Sequence, residues 1–312
     1  MIESIEIENL RGIAHGKLEG LTPLTILVGP NGSGKSTILD AIFAGYQSNS
    51  AGSTITKRTE GVGNKAKWLS YRSNSNINPT VLINATDDSD QRLGSKIVFN
   101  VSNPLRHGGG MGGFAGGSDI SISGDGIKES IKMIEPSHSG LVSLHDMYTQ
   151  AVEKGRRKEV NETIKNLVPG LQHLEILTEN STPILHFVFD DYSIPATLSG
   201  FGVYSVLKMC IEFALSENGI ILIEEPEVHL HTRAITQLAK AIYRTTNRGI
   251  QIILTTHSLE LIDALLDAAT EPDDLDKLSV FMMKLDNGKL CSARIPGKNV
   301  EIERHQIGAD LR

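Results

Sequence analysis

Cysteine is scarce in this chain: Cys210 and Cys291 stand alone, in no metal-like spacing. A disulfide framework is thereby excluded, and a reducing compartment is expected. Long apolar runs are missing as well. The most apolar windows, near 203–215 and 219–223, are broken by Lys208, Glu212 and Glu217. Neither approaches the ~20 uncharged residues that cross a bilayer. The start, MIESIEIENL, shows no basic stretch followed by an apolar run, so no secretory signal is expected. The chain reads as cytoplasmic, with no membrane partner. Positive charge is in deficit: 30 Lys and Arg against 37 Asp and Glu leave a net −7. That gives no general attraction to nucleic acid, so any DNA contact needs a local patch or a partner. Sustained heptads and internal repeats are also lacking, which excludes a long coiled coil. What remains is 39% apolar residues in 312, enough for a sizeable core in one large α/β domain or two smaller ones.

The hydrophobic pattern alternates between strands and helices. Ile2, Ile5 and Ile7 predict a strand, and LTPLTILVG at 21–29 a strand buried on both faces. KSTILDAIFAGY carries Ile38, Leu39, Ile42 and Phe43 at helical spacing. Residues 46–79 read as a loop, followed by two strands in TVLINATDD and SKIVFNVSN. In 108–117 seven of ten residues are glycine, which no regular element holds cheaply. Residues 127–170 are expected to be mostly helical. LHFVFDD then predicts a strand, FGVYSVLKMCIEFAL a helix and GIILIEE a strand. A further helix, a strand at 250–255 and a helix at 258–269 follow. The tail is expected to form a hairpin about Asp286, Asn287 and Gly288.

Two segments carry chemistry. Residues 29–37, GPNGSGKST, fit the phosphate-loop pattern G-x-x-x-x-G-K-[ST] between an expected strand and an expected helix. Gly32 and Gly34 let the backbone curl so that the amides of Asn31, Gly32, Ser33 and Gly34 turn inward, and the helix N-terminus adds its positive end. Lys35 brings a point charge to the β- and γ-phosphates, Ser36 a hydroxyl for Mg²⁺, and Thr37 a contact to the α-phosphate. In GIILIEEPEVHLH, 219–231, four apolar residues precede Glu224 and Glu225. Ligands of α/β sheets gather at the carboxyl ends of strands. One acid there can hold Mg²⁺ through water, and the other can accept a proton from attacking water. The competing reading is two acids at the start of a solvated loop.

Taken together, IEIENLRGI, GPNGSGKST, ILIEEPEVHLH and TTHS at 255–258 resemble, in order, the motifs of ABC-type ATPase domains. In detail they are similar to the soluble SMC-like branch, which includes double-strand-break repair ATPases and OLD-type ATPases of phage defence. The resemblance covers 2–45 and 194–312; 46–193 matches only as a variable insert. It implies an α/β ABC-type P-loop fold with a mixed central sheet, an N-terminal antiparallel β element and a helical insert carrying a signature turn. One ATPase domain would span 1–312, with an N-terminal lobe at 1–125, the insert and signature region at 126–205, and a C-terminal lobe at 206–312. It also implies ATP and Mg²⁺ as cofactors, with Ser36 and Glu224 at the metal, Glu225 as general base, and Lys35 and His257 completing the catalytic set at the γ-phosphate. Arg11 would reach the nucleotide, although a surface arginine on a strand edge fits it too.

These ATPases dimerise head to tail, each subunit offering a serine-glycine turn to the other's γ-phosphate. Ser199 and Gly200 in LSGFGVYSV are the expected turn; aligning Gly200, Phe201 and Gly202 instead would make Ser205 the reaching hydroxyl. Phe201 stands where the transporter pattern has a second glycine. The glutamine loop usual in the family has no clear equivalent, residues 135–138 being the nearest candidate. Residues after Leu259 hold no acidic cluster of the kind an appended nuclease domain needs. The implied activity is a homodimer that hydrolyses ATP to drive a partner protein, a nuclease among the candidates, or a DNA transaction. The alternatives are a nucleotide-binding subunit of a transporter, disfavoured by Glu224, Arg11 and the divergent signature, and a kinase or GTPase. No N-K-x-D guanine reader occurs, the nearest run being 64–67. The dense basic run Lys154, Gly155, Arg156, Arg157, Lys158 is a solvated helix face or a nucleic-acid contact.

Overall fold

The computed structural model describes residues 1–46, 68–73, 77–86, 92–101, 120–124, 127, 130–135, 143–271 and 273–312. The glycine-rich stretch 108–117, the run 64–67, most of 46–79 and residues 136–138 lie outside the described residues.

Strand β1 (Ile2–Leu10) and β2 (Ile13–Glu19) form an antiparallel pair. In β1, Ile5 and Ile7 are buried, with Glu6 and Glu8 on the other face, the period-2 pattern of a half-buried strand. β4 (Thr80–Thr86), β5 (Arg92–Val101) and β6 (Ile120–Ser123) continue this antiparallel part beyond β1. The parallel part centres on β3 (Leu24–Val28), buried at every position. Its neighbours are β12 (Gln251–Thr255) and β13 (Leu278–Asp286), and β11 (Ile220–Glu224) lies beyond β12. Continuous apolar runs such as LTILV and IILI suit strands covered on both faces. β14 (Lys289–Pro296) returns from β13 through Asn287 and Gly288, at φ 47° and 86°. Two successive positive φ values are what a tight hairpin turn demands.

β7 (Ile131–Ile134) pairs in parallel with β11, contrary to the helix expected there. Ile131 and Ile134 are buried against the sheet, so pairing with an open strand edge overrides local helical spacing. Among the described residues of the insert, helices begin at α2 (Leu144–Glu153) and α3 (Arg157–Leu167). A small antiparallel sheet follows, made of β8 (His173–Glu179), β9 (Thr182–Val188) and β10 (Ser193–Pro195). The insert is thus part β. Helix α4 (Phe201–Leu215) runs unbroken across the expected lobe boundary at 205/206.

The main sheet, among the described residues, has eleven strands ordered β6-β5-β4-β1-β2-β14-β13-β3-β12-β11-β7. Helix α1 (Lys35–Tyr46) lies within its curl, against β1, β4 and β5 on one side and β7, β11 and β12 on the other. Ile38, Leu39 and Ile42 are buried there with Ile83, Ile97 and Phe99. The second core joins β3, β11 and β12 to α2, α3, α4, α5 (Thr232–Thr246) and α6 (Leu259–Ala268). Full burial of a side chain such as Phe99 or Phe213 contributes about 1.5–3 kcal/mol. Gln251, a polar residue opening β12, is buried but bonded: its Oε1 accepts from Ile2 N–H at 2.7 Å, and its Nε2 donates to Ile2 O at 2.9 Å. That clamp ties the antiparallel part to the parallel one. No described helix is long and apolar enough to cross a membrane.

Candidate functional site at the ends of the parallel strands

β3, β11 and β12 run parallel, in register Leu27 with Thr255 and Thr255 with Glu224, so their carboxyl ends open on one side. The loop from Val28 to Lys35 turns there. Gly29 has φ 142°, and a Cβ on it would stand 2.2 Å from the Met283 carbonyl oxygen, so the close approach to β13 requires glycine. Gly32 has φ 78°, and, its chain neighbours aside, no heavy atom of the described residues lies within 4 Å of where its Cβ would stand. The loop therefore curls over open space that a side chain would fill. Residues 31–37 line a cavity of about 280 Å³ with Gly12, Ile13, Leu285, Glu225 and His257. Ser33 Oγ is buried and finds no hydrogen-bond partner among the described residues. The Ser33 N–H donates to the Pro30 carbonyl at 3.1 Å, so the side chain rather than the amide of Ser33 is spare, and a glycine-rich turn with a spare hydroxyl at a helix start fits a phosphate chain.

Lys35 is buried, its Nζ donating to the carbonyls of Gly29 at 2.7 Å and Pro30 at 3.2 Å. Burial pushes its ammonium below the usual lysine range, while the carboxylates of Glu225, Glu224 and Glu227 pull the other way. Ser36 Oγ donates to Glu224 Oε1. A hydroxyl and a carboxylate oxygen side by side are the hard donors that suit Mg²⁺.

Glu225 takes φ 41°, unusual for a residue with a side chain, and its N–H is held by Thr255 through the carbonyl at 3.1 Å and Oγ1 at 3.2 Å. The left-handed turn re-aims the carboxylate out of the strand line, and its Oε1 lies 3.4 Å from His257 Nε2. Both side chains are about one-third exposed, so water reaches them.

The remaining expected residues lie further off. Arg11, at φ 51° in the β1–β2 turn, forms an ion pair with Asp40 of α1 and does not line the cavity, although Gly12 beside it does. Ser199 precedes α4, and its hydroxyl donates to the Ala196 carbonyl at 2.6 Å. Gly200 has φ 85°, and Ser205 follows in the first turns of α4. None of these three lines the cavity. Leu198 and Phe201, flanking the turn, are 73% and 40% exposed. In the basic run, Lys154 pairs with Glu217 at 2.8 Å and Lys158 with Glu162 at 3.7 Å. Arg157 and Lys158 line a groove on α3 with Lys165.

Residues 4–182 match the AAA domain family, and residues 121–262 match the AAA ATPase domain. The chain belongs to the AAA domain family. It is an ATPase. The "ATP/GTP phosphatase" of Helicobacter pylori is 21% identical over 361 residues, covering 96% of this ATPase and 97% of that protein. The "OLD nuclease" of Thermus scotoductus is 23% identical over 313 residues, 83% of this chain but 59% of the nuclease's length. A solved SMC head, bound to the C-terminal winged-helix domain of ScpA, superposes with a TM-score of 0.63 at 15% identity, over 96% of this chain and 99% of that one. At that identity the likeness shows the fold alone.

Sequence reasoning missed part of the cavity lining. Ile13 and Leu285 come from strands far apart in sequence, so nothing local marks them as cavity residues. Glu227 lay in plain view as the third acid of EEPE, but whether it faced water or the protein depended on the loop's fold. The structure turns it inward: its Oε1 accepts from Thr256 Oγ1 at 2.5 Å and from His257 N–H at 3.1 Å. Burial pushes its carboxyl above the usual range, against the pull of those hydrogen bonds.

Proposed function

We propose that this ATPase binds Mg–ATP in the cavity over residues 29–37, hydrolyses it with Glu225 as general base, and closes head to tail with a second copy. The observation that carries this reading is the convergence of Lys35, the Ser36–Glu224 pair and the Glu225–His257 pair at one cavity. The loop amides of Asn31, Gly32 and Gly34 and the Ser33 hydroxyl would hold the phosphates, with Lys35 on the β- and γ-groups and Thr37 near the α-group. Ser36 and Glu224 would hold Mg²⁺, which when bound supplies charge neutralisation at the phosphate oxygens. Glu225 takes a proton from water, the water oxygen forms the new bond to the γ-phosphorus, and the bond to ADP breaks, leaving ADP and phosphate. His257 steadies the γ-phosphate from the end of the neighbouring strand β12, and Arg11 anchors the β1–β2 turn at the cavity's rim.

Support for the dimer comes from the signature turn. Ser199 and Gly200 sit at a helix start outside their own cavity, beside the exposed Leu198 and Phe201. A second copy could use such a turn to complete the site. Closure and hydrolysis would then gate a partner protein or a DNA transaction of repair or defence type. A nuclease partner is consistent with the OLD-type likeness.

The test is Glu225→Gln. Glutamine keeps the shape but accepts no proton near neutral pH, so turnover should fall by the ~10²–10⁴-fold that general-base catalysis contributes. Binding should persist, and light scattering should show a dimer with Mg–ATP that Lys35→Ala abolishes. Wild-type turnover in Glu225→Gln, or a monomer at saturating Mg–ATP, would sink the reading.

A further inference from the structure

Past Pro226 the chain does not simply leave the sheet. Val228 N–H donates back to Glu225 O at 3.2 Å and Leu230 N–H to Glu227 O at 2.9 Å, and His229 takes φ 63°. These turns send the Glu227 side chain under the end of β12. There one oxygen, Oε1, receives both Thr256 Oγ1–H and His257 N–H. Thr256 Oγ1 in turn accepts from Ser258 N–H at 2.9 Å, and Ser258 Oγ accepts from Leu261 N–H at 3.2 Å as the cap of α6. The backbone of 256–258 is thus pinned from one carboxylate. The other Glu227 oxygen, Oε2, is buried with no hydrogen-bond partner among the described residues. An orphaned carboxylate oxygen costs stability, and an apolar residue would avoid that cost, so a role beyond packing is called for. The loop's far end meets the signature helix. The His229 ring stands edge-on to Phe201 with centroids 5.0 Å apart, and a Cβ on Gly202 would lie 3.1 Å from His229 O.

The geometry points to Glu227 as a positioning residue for hydrolysis. It holds the Thr256–His257 turn in the register that sets His257 Nε2 against Glu225 Oε1, and its loop carries that register to the start of α4. The signature turn offered outward and the histidine turned inward therefore share one loop. This rests on the assignment of Glu225 and His257 to hydrolysis.

The experiment compares Glu227→Ala, Glu227→Gln, Thr256→Val and the Glu227→Ala/Thr256→Val double variant of the full chain with wild type and Glu225→Gln. Glu227→Ala should lower kcat by about 10–100-fold, the effect of a small misplacement at a reacting group, with KM for ATP changed less than about threefold. Glu227→Gln keeps an accepting oxygen and should stay within about threefold of wild type. Thr256→Val keeps the shape, removes one donor and should lower kcat less than Glu227→Ala. The double variant should lose less than the two single effects combined, because both remove the shared Thr256–Glu227 bond. The NMR chemical shifts of the His257 ring at fixed pH should move in Glu227→Ala and stay in Glu227→Gln. Wild-type kcat in Glu227→Ala, additive losses in the double variant, or unmoved His257 ring signals would each overturn the role. A fully active Glu225→Gln would instead remove the catalytic assignment, while the His257 ring signals would still decide the positioning.

Discussion

Ser36 and Glu224 stand 188 positions apart in sequence, yet the serine hydroxyl donates to the glutamate Oε1 across the mouth of the sheet. The pair joins the first turn of α1 to the end of β11, so the phosphate loop and the acidic strand end form one site. Lys35 is the residue just before Ser36 in that turn, with its ammonium folded onto the loop carbonyls.

Lys35→Ala should weaken ATP binding. A charge-assisted hydrogen bond is worth about 1.5–3 kcal/mol, so calorimetry should show a loss of roughly 10–150-fold, beyond detection if the starting affinity is modest. Unchanged affinity would remove the phosphate-loop assignment. The loop fold itself should survive, because the alanine relieves a desolvated cation.

Ser199→Arg should spare ATP binding and depress hydrolysis, since the side chain lies outside its own cavity and would block a partner's phosphate. Loss of one donor to a developing oxyanion typically costs about 10²–10³-fold in kcat. Ser205→Ala distinguishes the two candidate serines: whichever variant shows that loss identifies the reaching hydroxyl. Full activity in both would remove the head-to-tail arrangement.

Glu227 predicts a pH dependence of stability. Its folded-state carboxyl holds its proton above the ordinary glutamate value, so between that value and the raised one the folded chain binds more protons than the unfolded chain. Stability then falls as pH rises through that window, and the cost stays fully present above it. Glu227→Gln has no proton to lose. Its Tm relative to wild type should therefore climb as pH rises from about 4.5, the ordinary glutamate value, and level off once wild-type Glu227 is ionised in both states. A difference that is flat with pH would mean the carboxyl titrates normally.

The sequence by itself determined the alternation of elements and the ATPase family. Helices Lys35–Tyr46 and Phe201–Leu215 coincide with the apolar spacing from which they were expected, and the Asn287–Gly288 turn made the β13–β14 hairpin legible. Such features are local: spacing, caps and turn residues act over a few positions. Ile131–Ile134 is the contrary case. Its apolar spacing suited a helix, and only the open edge of β11 made it a strand, because pairing and burial there outweigh the local preference. The site divides in the same way. Glycines, a lysine and paired acids announced a phosphate site because the chemistry needs those residue types in short order. Tertiary structure alone decided that Glu225 meets His257, that Arg11 turns to Asp40, and that Glu227 faces inward beneath Thr256. Each depends on which strand ends the parallel sheet brings together, and no periodicity along the chain encodes a meeting across it.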